Sequence, residues 1–251
     1  GQLFCDESSK LIVRMLLDEC AAAGVQIETE CRISAVDAHP TPYAVHTTRG
    51  TFKAPKLVVA TGGLSIPSMG ASGFGYTLAQ QFGHRVLPTR AGLVPLTLSG
   101  KPLEQWADLS GVALPVEAST NKASFRNQLL VTHRGLSGPA VLQISNYWQP
   151  GEALSIDLFP QGDAADWLKQ QQQARPASEL RTVLSEALPK RFAQRFAELY
   201  CPEPNKPMRQ LMHAEISAIA AALHAWPITA NGTEGYRTAE VTLGGVDTRE
   251  L

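Results

Sequence analysis

The stretch LVVATGGLSIPSMGASGFGYTLAQQFGH, Leu57 to His84, decides the reading of this chain. Leu57, Val58, Val59 and Ala60 form an apolar run too short for a helix, which predicts a strand buried on both faces. The run stops at Thr61-Gly62-Gly63. Gly70, Gly73 and Gly75 then lead into a helical pattern of Tyr76, Ala79 and Phe82, with Gly83 placed as a C-terminal glycine cap. Glycines after a parallel strand let backbone approach a ligand at the carboxyl edge of a sheet. An ordinary strand-loop-helix connection uses the same residues, so the spacing alone leaves both readings open.

Working outward, Leu11, Ile12, Met15, Leu16, Cys20 and Ala23 recur at helical spacing, with Ser8 or Ser9 as N-cap and Gly24 as the stop. Alternation at Val25, Ile27, Thr29, Cys31 and Ile33 predicts a strand. Tyr43, Val45 and Thr47, a turn at Arg49-Gly50, and Phe52 predict a small antiparallel excursion. This order belongs to a nucleotide-binding α/β domain. From Val86 the segments shorten: Gly92 to Leu98, Gly111 to Ala118, Ala123 to Val131 and Ala153 to Leu158 read as an antiparallel sheet or barrel. From Asp163 to Trp226 the patterning is helical, with Ser178 as an expected N-cap. Ala239 to Leu243 returns to a strand, expected to rejoin the sheet that contains Leu57 to Ala60. The expected domains are residues 1–85 for part of the nucleotide-binding domain, 86–160 for an inserted β domain, 161–227 for a helical subdomain, and 228–251 for the return through the β domain to the nucleotide-binding domain.

Composition narrows the function classes. The 251 residues carry 22 basic and 23 acidic side chains with no run of one sign, which argues against a nucleic-acid stripe. Four cysteines show no CxxC pair, so neither a zinc site nor a disulfide framework is indicated; reduced thiols in a cytoplasmic protein are expected. No apolar run approaches a membrane span and no signal peptide opens the chain. The start at Gly1-Gln2-Leu3-Phe4, without methionine, and the stop at Arg249-Glu250-Leu251 read as the ends of an internal fragment.

Five ordered motifs, GQLFCDESSKLIV, LVVATGG, GASGFGYTLAQQFGH, THRGLSGPAVLQIS and AEVTLGGVDTREL, resemble the bacterial flavoproteins of the BaiN-like, aminoacetone-oxidase-like group. The resemblance implies a Rossmann-like FAD domain carrying an inserted β-barrel and a helical subdomain, and an NAD(P)/FAD-dependent oxidoreductase. Cys5 stands where the family has proline. The family's G-x-G-x-x-G fingerprint and its glycine-rich flavin segment are absent, so FAD is expected in the full-length protein, and the fragment alone is expected to bind it weakly and to be inactive.

The resemblance also carries candidate sites. Ala60, Thr61, Gly62 and Gly63 match the segment along the ADP half of FAD, and the strand at Ile33 matches the one whose backbone meets adenine. Ser72, Gly73 and Gly75, beside Gly70, match the wall of the cofactor cleft. Gly244, Gly245 and Val246 match the segment beside the isoalloxazine ring. Thr132 to Ala140 reads either as a backbone anion site or as a helix start capped by Ser137 with Pro139 in the first turn. No residue qualifies as a nucleophile or acid/base, since a flavin carries hydride chemistry itself. The expected activity is hydride transfer between NAD(P)H, flavin and an unidentified small substrate, with no nucleic-acid partner, no membrane and no metal. A tRNA-modifying flavoprotein and a non-catalytic nucleotide-binding scaffold are the alternatives.

Overall fold

The computed structural model describes residues 5–37 and 42–250. Gly1 to Phe4 of the first motif and Leu251 of the last lie outside the described residues. The chain divides into two compact units, residues 1–59 and 60–251.

In the first unit, α1 (Lys10–Ala22) follows the expected spacing. Ser9 takes the N-cap position without a side-chain bond, while Ser8 Oγ accepts the Lys10 N–H at 3.3 Å. The helix buries none of its residues. β1 (Ile33–Val36), β2 (Tyr43–Thr47) and β3 (Gly50–Ala54) form an antiparallel meander. Thr47 Oγ1 donates to the Gly50 carbonyl and accepts the Arg49 N–H, which fixes the β2–β3 turn.

Two strand expectations are corrected. The alternation from Val25 makes a ladder only from Ile33 onward. Leu57 to Ala60 forms no strand, and Val58 is 85% exposed. A strand exists only through the hydrogen bonds of its neighbours, and among the described residues none pairs with this run.

The second unit opens with α2 (Phe74–Gln81), ended by Gly83 at φ +85. There follow β4 (Val86–Gly92), β5 (Leu96–Thr97), α3 (Gly100–Trp106), β6 (Ala113–Ser119), β7 (Ser124–Thr132), β8 (Gly135–Ser137), α4 (Pro139–Ser145) and β9 (Ser155–Asp157). The helical stretch holds α5 (Ala164–Ala174), α6 (Leu180–Leu184), α7 (Lys190–Tyr200) and α8 (His213–His224), and β10 (Gly232–Thr233) and β11 (Val241–Val246) complete the chain. Glu179, not Ser178, is the N-cap of α6.

Six strands form an antiparallel sheet in the order β10-β5-β8-β7-β6-β9. Its inward face reads directly from alternation: Leu114, Val116 and Ala118 on β6, and Leu129 and Val131 on β7, are buried. The extended segment after α8 runs from the edge strand β9 to β5, beside the other edge strand β10. The Trp226 N–H donates to the Ile156 carbonyl on β9 at 2.9 Å, and the Asn231 N–H donates to the Thr97 carbonyl on β5 at 3.0 Å. The sheet is thereby curled and its edges are covered.

One hydrophobic core runs from this sheet into the helices. On α7, Phe192, Ala193, Phe196 and Ala197 share one buried face, as helical periodicity requires. Phe192 packs 4.8 Å from the ring of Trp106, and Trp226 sits edge-on to Trp106 at 4.8 Å. We expect Trp106→Ala to cost about 3–5 kcal/mol. Urea unfolding followed by far-ultraviolet dichroism measures this, and a loss below about 1 kcal/mol would show that the three rings are not the shared core.

The α8 start is held electrostatically. Glu215 accepts the Met212 N–H at 2.7 Å, and the Lys206 ammonium lies 2.9 Å from its other oxygen. The Met212 N–H first, and the Lys206 ammonium next, hold the Glu215 carboxyl below its ordinary range. Because the folded value is depressed, the contribution is full above the ordinary glutamate pKa of about 4.3 and is lost as pH falls through the folded value. Glu215→Gln should therefore be less stable than the parent at neutral pH, with the difference closing on acidification below about pH 4. Thermal melts across that range check it; a difference independent of pH would refute it.

Candidate functional site

The antiparallel pair β4–β11 organises the glycine-rich segments. Val241 lies opposite Gly92 and Leu243 opposite Arg90; the register then shifts, and Gly245 faces Leu87 and Val246 faces Val86. The extra residue is on β4, where Pro88 and Thr89 together face the single residue Gly244, which holds φ +81. A Cβ there would lie 2.2 Å from the Pro88 carbonyl oxygen, so only glycine fits. The strand at Ala239 to Leu243 was expected to join Leu57 to Ala60. It pairs with β4 instead, because β4 supplies the hydrogen-bonding edge that the unpaired run does not.

β11 also pins the loop after Gly63. Thr242 Oγ1 accepts the Leu64 N–H at 2.8 Å and lies 3.1 Å from Ser65 Oγ. The Tyr236 carbonyl accepts the Ile66 N–H at 2.8 Å, and Ile66 itself holds φ +58. A Cβ on Gly63 would approach Thr242 Oγ1 to 2.5 Å and the Tyr76 hydroxyl to 3.1 Å. A Cβ on Gly245 would lie 3.1 Å from the Tyr76 ring. Both glycines are thus packed against Tyr76, one from each end of the chain segment.

Of the expected cofactor residues, the fold brings Gly63 and Gly245 together against Tyr76, while Gly244 packs on Pro88 and Val246 pairs with Val86. Ala60, Thr61 and Gly62 lie exposed on the same loop. Gly62 at φ +69 and Gly70 at φ +91 face open space, with no atom within 4 Å of the point where a Cβ would stand. Ser72 Oγ accepts the Phe74 N–H at the start of α2, Gly73 is its N-cap and Gly75 sits in its first turn. Ile33 belongs to the unit of residues 1–59, on β1 opposite Thr47. Tyr76 read only as a helix-face residue, and the role of Thr242 left no local signal, since its partner Leu64 is 178 residues away.

The motif Thr132 to Ala140 is a hairpin. Thr132 Oγ1 accepts the N–H groups of Arg134 and Gly135, and Gly135 at φ +151 packs where a Cβ would meet the Leu96 carbonyl at 2.2 Å. Ser137 lies in β8, and Gly138, not Ser137, is the N-cap of α4, with Pro139 in the first turn. His133 is exposed at the hairpin tip. The far end of α4 docks on the strand pair: Asn146 Oδ1 accepts the Leu93 N–H at 2.8 Å, and the Arg90 guanidinium donates to the Ser145 and Asn146 carbonyls. A cation at the carbonyl end of a helix opposes its dipole. Beyond β11, the buried Asp247 takes both oxygens to Arg249, whose guanidinium holds this carboxyl below its usual range. Burial pushes the Cys201 thiol up to about 12. Among the described residues, no three His, Cys, Asp or Glu side chains gather as metal ligands, and no helix is long and apolar enough to cross a membrane.

Residues 90–241 match the family model described as the HI0933-like protein barrel and H2TH domain, more than half of the chain. The chain belongs to this family. It is 50% identical, along its whole length, to a ribosomal RNA dihydrouridine synthase of Escherichia coli, and 43% identical to a protein of the same name from Haemophilus influenzae. It is 26% identical over 96% of its length to a 3-dehydro-bile acid delta(4,6)-reductase of Clostridium scindens. The chain spans 63% of the length of the first two and 61% of the third. These matches correct the assignment to the BaiN-like group: the family is the HI0933-like one. They also overturn the expectation of no nucleic-acid partner, because the two relatives of higher identity carry ribosomal RNA in their names. That expectation rested on a balanced net charge and on the absence of a run of one sign along the sequence, neither of which registers charges that only the fold brings side by side.

The pinned loop gives a direct test. Thr242→Val removes the oxygen that accepts the Leu64 N–H and should cost about 0.5–1.5 kcal/mol. Amide hydrogen exchange at Leu64 should accelerate while exchange in β6 and β7 stays unchanged. Unaltered protection at Leu64 would mean that Thr242 does not hold the loop.

Proposed function

We propose that this chain is part of a flavin-dependent enzyme that reduces uridine to dihydrouridine in ribosomal RNA. The supporting observation is the 50% identity, over the whole chain, to a protein of that name. Among the readings open from the sequence, the RNA-modifying flavoprotein thereby takes precedence over an oxidoreductase of a small substrate. The three relatives' names share one reaction class, saturation of a ring carbon–carbon double bond. An RNA substrate agrees with a cytoplasmic protein.

The cofactor proposed is FAD, with NAD(P)H as electron donor, in a Rossmann-like domain of which residues 1–85 are a part and to which residues 228–251 return through the β domain. Residues 86–160 are its inserted β domain and 161–227 its helical subdomain. Bound reduced flavin would supply the hydride that, with one proton, saturates the uracil C5=C6 bond. The residues proposed to hold it, all in the unit of residues 60–251, are Ala60, Thr61, Gly62, Gly63, Ser72, Gly73, Gly75, Gly244, Gly245 and Val246. What favours this loop is the open space beside Gly62, and beside the neighbouring Gly70, where no atom lies within 4 Å of the point where a Cβ would stand. A flat ring stacks only where side chains leave room. Thr242 would position the loop without touching the ring.

Deleting the gene should remove a dihydrouridine from ribosomal RNA, read by mass spectrometry of nucleosides. Full-length wild-type protein should restore it. Gly62→Val should not, and the purified variant should lose its flavin absorbance, since a branched side chain at φ +69 is strained and fills the open face. Dihydrouridine content that is unchanged on deletion would refute the enzyme assignment.

A further inference from the structure

The helical stretch carries a charge imbalance that the whole-chain balance hides. From Arg175 to Arg195 there are five basic residues and two acidic ones, against a net charge of −1 for the complete sequence. Both acidic residues are already neutralised at close range. Glu186 pairs with Arg175, and Glu179 pairs with Arg181 at 2.6 Å. Arg195 is taken up by Asp108 at 2.8 Å and by Glu198 at 3.4 Å. Lys190 and Arg191 remain. Among the described residues Lys190 makes no ion pair or hydrogen bond, and Arg191 donates only to a neutral carbonyl, that of Asp108, at 2.6 Å.

Packing decides where these charges point. Phe192, Ala193, Phe196 and Ala197 turn one face of α7 into the core, which places Lys190, Arg191 and Gln194 on the opposite, solvent-facing side. Leu180, Val183 and Leu184 do the same for α6 and leave Arg181, Thr182 and Ser185 outward. Between the two helices lies a groove of about 340 Å³ lined by Arg181, Thr182, Ser185, Lys190 and Gln194. No acidic and no large apolar side chain lines it. Cations flanked by hydroxyl and amide groups match the phosphate and sugar of a nucleic-acid backbone, which take most protein hydrogen bonds in such complexes.

We infer that the α6–α7 groove is a contact surface for the sugar–phosphate backbone of the RNA substrate, with Lys190, which lines it, and Arg191, the next residue on the exposed side of α7, neutralising phosphates. The inference rests on the RNA-modifying reading above and adds to it the surface that engages the strand away from the glycine-rich loops. Its role is positioning: phosphate contacts fix register and carry no sequence information.

The test uses the full-length protein and a fluorescein-labelled single-stranded RNA of mixed sequence, with fluorescence anisotropy read at several salt concentrations between about 50 and 200 mM. Removing one cation that neutralises a phosphate should reduce the slope of log affinity against log salt by roughly 0.7, equivalent to about fivefold in affinity near 0.1 M salt. Lys190→Gln is expected to lower the slope by one such step and Lys190→Gln/Arg191→Gln by two, while Lys190→Arg keeps the wild-type slope. Lys190 has no intramolecular partner among the described residues, so the single variant carries the test even if the double variant melts early. Unchanged slopes in variants of a protein that still binds RNA would overturn the groove and leave the enzyme assignment standing. Wild-type protein that binds no RNA would overturn the groove as well, while nucleoside analysis of the deletion strain judges the enzyme assignment separately. Loss of binding to labelled polyglutamate, with RNA binding intact, would assign the groove to an acidic protein and overturn the proposal.

Discussion

The packing of Trp106, Phe192 and Trp226 is the constraint on which the larger unit depends. Each ring comes from a different part of the chain: the end of α3, the buried face of α7 and the segment that follows α8. Trp226 is held twice, by its ring in this cluster and by its backbone N–H on β9. That double anchorage turns the chain from the helices back toward β10 and lets a short extended segment run from β9 to β5. The barrel and the helices therefore share one interior. A change in the core of either is felt by both, because close-packed interiors transmit volume changes.

Against that interior, the glycine-rich segments depend on register. The bulge on β4, where Pro88 and Thr89 face the single Gly244, is what returns the two strands to pairing at Gly245. Without the bulge, Thr242 and Gly245 could not keep their present relation to Leu64 and Tyr76. The glycines here do different jobs. Gly244 and Gly63 are required by close approach inside the protein, whereas Gly62 and Gly70 adopt left-handed backbone beside empty space. Only the second kind has open space at the point where a Cβ would stand.

Charge needs the same separation of average from placement. A nearly neutral sequence argued against an RNA partner, yet pairing within the fold consumes the acidic side chains around α6 and α7 and leaves a cationic edge. Binding to a polyanion responds to the few cations that reach phosphates, not to the sum over the molecule. Neither net charge nor the lack of a one-sign run along the sequence registers that placement.

Local periodicity determined a good deal by itself. The helix at Leu11 to Ala22, the hairpin around Arg49-Gly50, the short strands from Gly111 to Leu158 and the helical stretch to Trp226 all follow from apolar spacing, which the chain carries within a few residues. The glycine loop after Leu57 and the Gly-Gly pair near the end were visible as places where backbone must come close to something. Tertiary structure alone decided what they approach: Thr242 and Tyr76, and, for β11, the edge of β4. It also denied strand status to Leu57 to Ala60, moved the cap of α4 from Ser137 to Gly138, and set Lys190 free while pairing its neighbours. Hydrogen-bond partners and ion pairs distant in sequence leave no mark on local spacing, because they are fixed by which surfaces the core brings together.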